Sequence, residues 1–201
     1  MKLIGLVGTN SSKSTNRQLL QFMSKHFTDK VEIEVLEISH LPFFDKPQSM
    51  IVPDIVKELA AKIEEADGVI ISTPEYDHAV PAALMNALAW LSYGIHPLLN
   101  KPIMITGASY GTLGSSRAQA HLHQILNSPE IKARVMTGSD YLLAHSLQAF
   151  DANGDMINEE SKEKLSKALD DFRVFVKITQ QLSNTYDLLA KEVENFDWEK
   201  L

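Results

Sequence analysis

The 201-residue chain is long enough for one substantial core and short for two independent ones. Its 44% hydrophobic and 22% charged residues are globular proportions that exclude a disordered chain, and a formal charge of -7 argues against a large nucleic-acid footprint. With no cysteine there is no disulfide, thiolate metal centre, iron–sulfur cluster or cysteine nucleophile, a composition that suits a reducing compartment.

Residues 1–8 are apolar but reach Gly5 and Gly8 too early for a signal peptide or a membrane span. They read as a buried first strand, and a cytoplasmic location is expected. Ser14, Thr15 and Asn16 open a helix carrying Leu19, Leu20 and Met23. The run 31–38 alternates Val31, Ile33 and Val35 with Glu32 and Glu34, which suits a strand nearer a sheet edge. Ile55, Val56, Leu59, Ala60 and Ile63 form one apolar stripe opposite Lys57, Glu58, Lys62 and Glu64, as in an amphipathic helix. Runs 3–7, 69–72 and 103–106 lack polar alternation, as expected of parallel strands covered on both faces, and 134–138 is a weaker fifth run.

The segment 80–91 leaves almost no polar face, so a helix there must be covered all round. A partner subunit is the preferred cover, and a central place in the monomer core is the alternative. From 158 to 195 the chain stays helix-compatible, with Leu165, Leu169, Phe172, Val176, Tyr186, Ala190 and Val193 in phase and Thr179 and Ser183 interrupting. That is one long helix or two pieces hinged near Ser183, Asn184 and Thr185, and the part beyond Asn184 is a candidate interaction arm. Strands alternating with helices imply right-handed crossovers. The expected fold is a single doubly wound α/β domain over 1–201, with a five-stranded parallel sheet and a C-terminal helical segment from about 158.

Three unusual loops each follow a buried strand and precede a helix, so a parallel sheet places all three at one end. With strand order 2-1-3-4-5 they surround the topological switch point, where ligands bind in such folds. The first, 8–16, offers Thr9, Asn10, Ser11, Ser14, Thr15 and Asn16 at the positive end of a helix, which suits a phosphate. It has neither the lysine of a Walker loop nor a G-x-G-x-x-G fingerprint, so neither ATP nor NAD is its natural resident. The second loop sets Pro74 beside Glu75, Tyr76 and Asp77, bordering a planar ring. The third, with Gly107, Ala108, Ser109, Tyr110, Gly111 and Gly114, lets backbone approach a ligand closely and precedes a helix whose dipole faces an anionic ring edge.

These residues make the chain resemble the NADPH-dependent FMN reductase family, a flavodoxin-like group. The resemblance runs from residue 2 to about 160. It is carried by Gly8-Thr9 with Ser14-Thr15-Asn16-Arg17, then by Thr73-Pro74-Glu75-Tyr76-Asp77 with Pro81, Leu84, Asn86, Ala87 and Trp90. Gly107-Ala108-Ser109 with Gly111, Gly114, Arg117-Ala118-Gln119 and His121-Leu122 follows, then Phe150-Asp151, Gly154 and Glu159. The resemblance implies FMN as cofactor, NADPH or NADH as electron donor, and a homodimer or homotetramer through the 80–91 helix. Ser14, Asn16 and nearby N–H groups would hold the phosphate, the Pro74 loop would border the ribityl chain and isoalloxazine, and 107–111 would meet the pyrimidine end. Ser11 stands where the family usually has Arg, Asp77 replaces an Asn, and Tyr110 and Ser115 occupy common Gly positions.

The expected function is hydride transfer from a nicotinamide through flavin N5 to a small electrophile such as a flavin, quinone or azo compound. The flavin carries the chemistry, so no side chain is assigned as catalytic. The alternative is a non-enzymatic electron carrier or a flavin-dependent regulatory partner. Arg117, which either pairs with a carboxylate or meets an NADPH phosphate, and His78 are the candidate substrate residues. No metal site is expected: His121 and His123 do not share a helix face, and the Asp151 turn lacks the spacing of a calcium loop.

Overall fold

Six strands and five α-helices make up the described residues, 1–48 and 50–183 of a computed structural model. In chain order they are β1 (Lys2–Val7), α1 (Thr15–His26), β2 (Glu32–Leu36), α2 (Asp54–Glu65), β3 (Gly68–Ser72), α3 (Ala82–Trp90), β4 (Pro102–Ala108), α4 (Ser116–Leu126), β5 (Arg134–Val135), β6 (Tyr141–Leu143) and α5 (Glu159–Ser183). All pairings are parallel, in the order β2-β1-β3-β4-β5, with β6 also on β4. This is the flavodoxin-like arrangement expected from the sequence, with the alternating strand β2 at one edge.

Central strands are apolar throughout because they face two cores. Ile4 and Leu6 of β1, Val69 and Ile71 of β3, and Ile103 and Ile105 of β4 meet Leu59 and Ile63 of α2, Leu84 and Leu88 of α3, and Leu122 of α4. The alternate residues Leu3, Val7, Ile70 and Met104 face Leu19, Leu20 and Met23 of α1 and Leu165, Leu169 and Phe172 of α5. Each fully buried Leu, Ile or Phe contributes about 1.5–3 kcal/mol relative to exposure.

The fifth sheet position differs from expectation. It is filled by two short strands rather than one: β5 pairs Arg134 and Val135 with Pro102 and Ile103, and β6 pairs Tyr141–Leu143 with Thr106, Gly107 and Ala108. Between them Gly138 takes φ +78, which breaks the extended chain. Helix α3 is covered on one side by its own sheet, through Leu84, Ala87 and Leu88, and Trp90 packs with Val52 and Val56, while Ala82 and Met85 are exposed. Helix α5 starts where Asn158 Oδ1 accepts the Ser161 N–H at 2.8 Å, and it passes unbroken through the buried Thr179. The expected hinge at Asn184 and Thr185, and the segment beyond it, lie outside the described residues.

Phe172 is fully buried against β3, where a side chain on Gly68 would come within 3.0 Å of its ring. Phe172→Ala should lower stability by about 3–5 kcal/mol, read as a reduced urea midpoint. Tyr141 gives a second test. Burial pushes its hydroxyl up to about 12, partly offset by its hydrogen bond to Ser161 O at 3.1 Å. The folded state thus favours the neutral phenol: its contribution is complete below pH 10 and is lost as pH rises from 10 through 12, by up to about 3 kcal/mol. Tyr141→Phe should flatten that part of the alkaline unfolding profile.

Candidate active site

The loops after β1, β3 and β4 border one cavity of about 490 Å³ at the carboxyl end of the sheet. Eleven of the fifteen residues expected to hold a cofactor line it: Ser11, Ser14, Thr15, Asn16, Pro74, Glu75, Tyr76, Ala108, Ser109, Tyr110 and Gly111. Thr9, Asn10, Asp77 and Gly107 do not. Lys13, Thr112, Leu113 and Ser115 also line it. None of these four is among the expected cofactor residues, although Ser115 stands out as a departure from the family and Lys13 sits inside the first loop, where charge alone could have marked it.

Helix α1 begins at Ser14, whose Oγ accepts the Arg17 N–H at 3.2 Å. The N–H groups of Thr15 and Asn16 have no acceptor within the helix, and both residues line the cavity. The side chains there are committed elsewhere. Asn16 Nδ2 donates to Ala108 O, while its Oδ1 accepts from Ala108 N–H and Ser72 Oγ, each at 2.9 Å. Thr15 Oγ1 and Ser146 Oγ share a 2.8 Å hydrogen bond, and Thr9 Oγ1 and Tyr76 OH share one of 3.0 Å. Asn16 therefore offers an anion its backbone N–H, not its amide.

Arg17 braces this loop from behind. Its guanidinium donates to both carboxylate oxygens of Glu37, at 2.5 and 2.8 Å, and to Ser11 O at 2.7 Å. The hydrogen bond to Glu37 raises Arg17 above its ordinary value, so the guanidinium stays charged.

The second loop is a tight reversal. Tyr76 and Ala79 exchange backbone hydrogen bonds of 3.1 and 2.9 Å, and Asp77 and His78 between them take φ 48 and 65. Two central residues with positive φ are the mark of a type I′ turn. Asp77 and His78 are exposed at its tip. Glu75 turns the other way: its Oε2 accepts the N–H groups of Arg117 at 3.0 Å and Ala118 at 3.4 Å, and its Oε1 lies 3.4 Å from Arg117 Nη1. Arg117 Nη1 is also 3.2 Å from His78 Nε2. Arg117 thus pairs with a carboxylate, and neither it nor His78 lines the cavity.

Gly107 and Gly114 are each needed for protein packing. A side chain at Gly107 would come within 1.8 Å of Ser115 Oγ, and Gly114, at φ +57, lies against Leu142. Only Gly111 faces open space. At the amino end of α4 the Glu75 carboxylate accepts two of the N–H groups that the helix leaves free. Ala108 N–H donates to Asn16 and Ser109 N–H to Leu143 O at 3.0 Å. Among the described residues no hydrogen bond engages the N–H groups of Tyr110 and Gly111. Tyr110 also reaches across the cavity, its hydroxyl donating to Lys13 O at 3.4 Å.

His121 and His123 have separate partners: Val80 N–H donates to His121 Nδ1 at 3.5 Å, and His123 Nε2 meets Asp140 at 2.9 Å.

A model of the NADPH-dependent FMN reductase family matches residues 1–148. The NADH:(hydroxy)cinnamate reductase subunit CrdA of Vibrio ruber is 46% identical over 199 residues, covering 99% of this chain and 98% of that protein. Subunit 2 of the NADH-dependent flavin reductase of Lactobacillus johnsonii is 44% identical over 189 residues, 90% of this chain and 100% of that protein. Among solved structures, the flavoenzyme NAD(P)H:(acceptor) oxidoreductase of Paracoccus denitrificans has a TM-score of 0.79 at 26% identity, over 89% of this chain and 98% of that one. By sequence and fold together the chain belongs to the NADPH-dependent FMN reductase family, as a flavodoxin-like oxidoreductase that uses FMN and a reduced nicotinamide.

Proposed function

We propose that the cavity between the three loops holds FMN and that the enzyme passes electrons from NADH or NADPH to a small electrophile: a flavin, quinone, azo compound or similar acceptor. The observation that carries this reading is the chemical division of the cavity wall. Free N–H groups at the start of α1, the Ser11 and Ser14 hydroxyls and Lys13 form a polar end that fits a phosphate. Pro74, Tyr76, Ala108 and the open face of Gly111 form a flatter end that fits a planar ring. When bound, FMN supplies hydride acceptance and release at N5.

The chain's own task is positioning. The N–H groups of Tyr110 and Gly111 can meet ring heteroatoms and stabilise the negative charge that develops there on reduction. Tyr76, held by Thr9, fixes one wall of the slot. Arg117 and His78, beside the cavity rather than in it, are placed to meet a donor or acceptor at its mouth. No side-chain acid or base is required, so no residue is assigned as catalytic.

Self-association through the 80–91 helix belongs to the same proposal. Pro42 O accepts from Asn86 and Trp90 at 2.9 and 2.8 Å, which holds the segment before α2 along α3. Phe43 and Ile51 of that segment and Met85 of α3 are exposed apolar side chains. The relatives from Vibrio and Lactobacillus are themselves named as subunits. We also place the enzyme in the cytoplasm, on its cysteine-free composition; no helix among the described residues is long and apolar enough to cross a membrane.

Purified protein titrated with FMN should turn yellow, and its flavin absorbance should bleach within seconds of adding NADH or NADPH anaerobically and return with a quinone. A yellow protein reduced only by another protein would make it a carrier, and a colourless one indifferent to FMN would remove the cavity assignment. Met85→Glu should shift the sedimentation profile toward monomer without altering the circular dichroism spectrum. An unchanged oligomer would exclude this face.

A further inference from the structure

A cation at the polar end of the cavity would add full charge to what the helix terminus offers a phosphate. A bound phosphate monoester carries nearly two negative charges at neutral pH, and helix-terminal N–H groups supply only partial positive charge. The cations nearby are mostly committed. Arg17 is held by both oxygens of Glu37, behind the loop, and Arg117 by Glu75. Position 11 is a neutral serine. Lys13 is the one cation lining the cavity, and among the described residues no ion pair engages its ammonium.

Its backbone is also fixed. The first loop is tethered at Ser11 O by Arg17, at 2.7 Å, and at Lys13 O by Tyr110, at 3.4 Å. Tyr110 comes from the loop on the far side of the cavity, so its hydroxyl ties the two walls together at the residue that carries the charge.

We propose that Lys13 neutralises the FMN phosphate and that Tyr110 is the positioning residue that holds the Lys13 backbone, so that this pair makes the site select FMN over riboflavin. The inference rests on FMN occupying the cavity. The two flavins share ring and ribityl chain and differ in the phosphate, so the difference in their affinities isolates the contact.

The test is a fluorescence titration of wild type, Lys13→Met, Lys13→Arg, Tyr110→Phe and the Lys13→Met/Tyr110→Phe double variant, each with FMN and with riboflavin at low and high salt. Lys13→Met should weaken FMN about 10- to 100-fold and leave riboflavin within about twofold, the range for one charge-assisted hydrogen bond. Lys13→Arg should retain the preference. Added salt should weaken FMN binding to wild type more than to Lys13→Met. Tyr110→Phe should lose part of the FMN preference, and the double variant should be no more selective than Lys13→Met alone. Unchanged FMN affinity in Lys13→Met, or equal loss of both flavins, would overturn the assignment while leaving FMN in the cavity. Wild type that binds neither flavin would overturn the cavity reading and this assignment with it.

Discussion

Asn16 sits at the start of α1, almost wholly buried, and its amide is satisfied within the protein, by two backbone groups and one hydroxyl. Nδ2 donates to Ala108 O, and Oδ1 accepts from Ala108 N–H and from Ser72 Oγ. One side chain therefore locks the first loop to the ends of β3 and β4, where the second and third loops begin. An apolar residue there would leave a buried N–H and a buried carbonyl unpaired, at about 1–3 kcal/mol for each group. The cavity exists because this residue fixes the distance between its walls. A residue that the family resemblance assigns to the phosphate thus has its side chain engaged in building the site.

Around that anchor, charges are arranged to cancel inside the protein. Glu37 neutralises Arg17 behind the first loop, and Glu75 neutralises Arg117 while capping α4. Two helices begin beside the cavity, yet only one presents free N–H groups to it. Capping α4 and leaving α1 open makes the two ends of the cavity electrostatically unlike.

Much of this was legible in the sequence. Unbroken apolar runs at β1, β3 and β4 announce strands covered on both faces, and the alternation of Val31, Ile33 and Val35 with Glu32 and Glu34 announces an edge. Since strand ends in a parallel sheet share a side, three polar or glycine-rich loops after such runs must converge. The illegible parts have physical reasons. Tyr141–Leu143 is too short to show a period, and it pairs only because Gly138 lets the chain turn back beside β4. Glycine in sequence signals small size but not what fills the space; at Gly107 it is the protein's own Ser115. Nothing in the sequence shows that the Glu75 carboxylate also caps the start of α4.

The divided fifth strand has a consequence for how copies of the chain can meet. A long exposed strand edge invites another strand to pair with it. On one side of this sheet the outermost position is broken into pieces of two and three residues, too short to template an added strand. On the other side β2 is guarded by Glu32 in solvent and by Glu34, which Lys62 holds at 2.6 Å. With both borders unfit for strand addition, open-ended stacking of sheets is disfavoured, and closed assembly falls to helical faces.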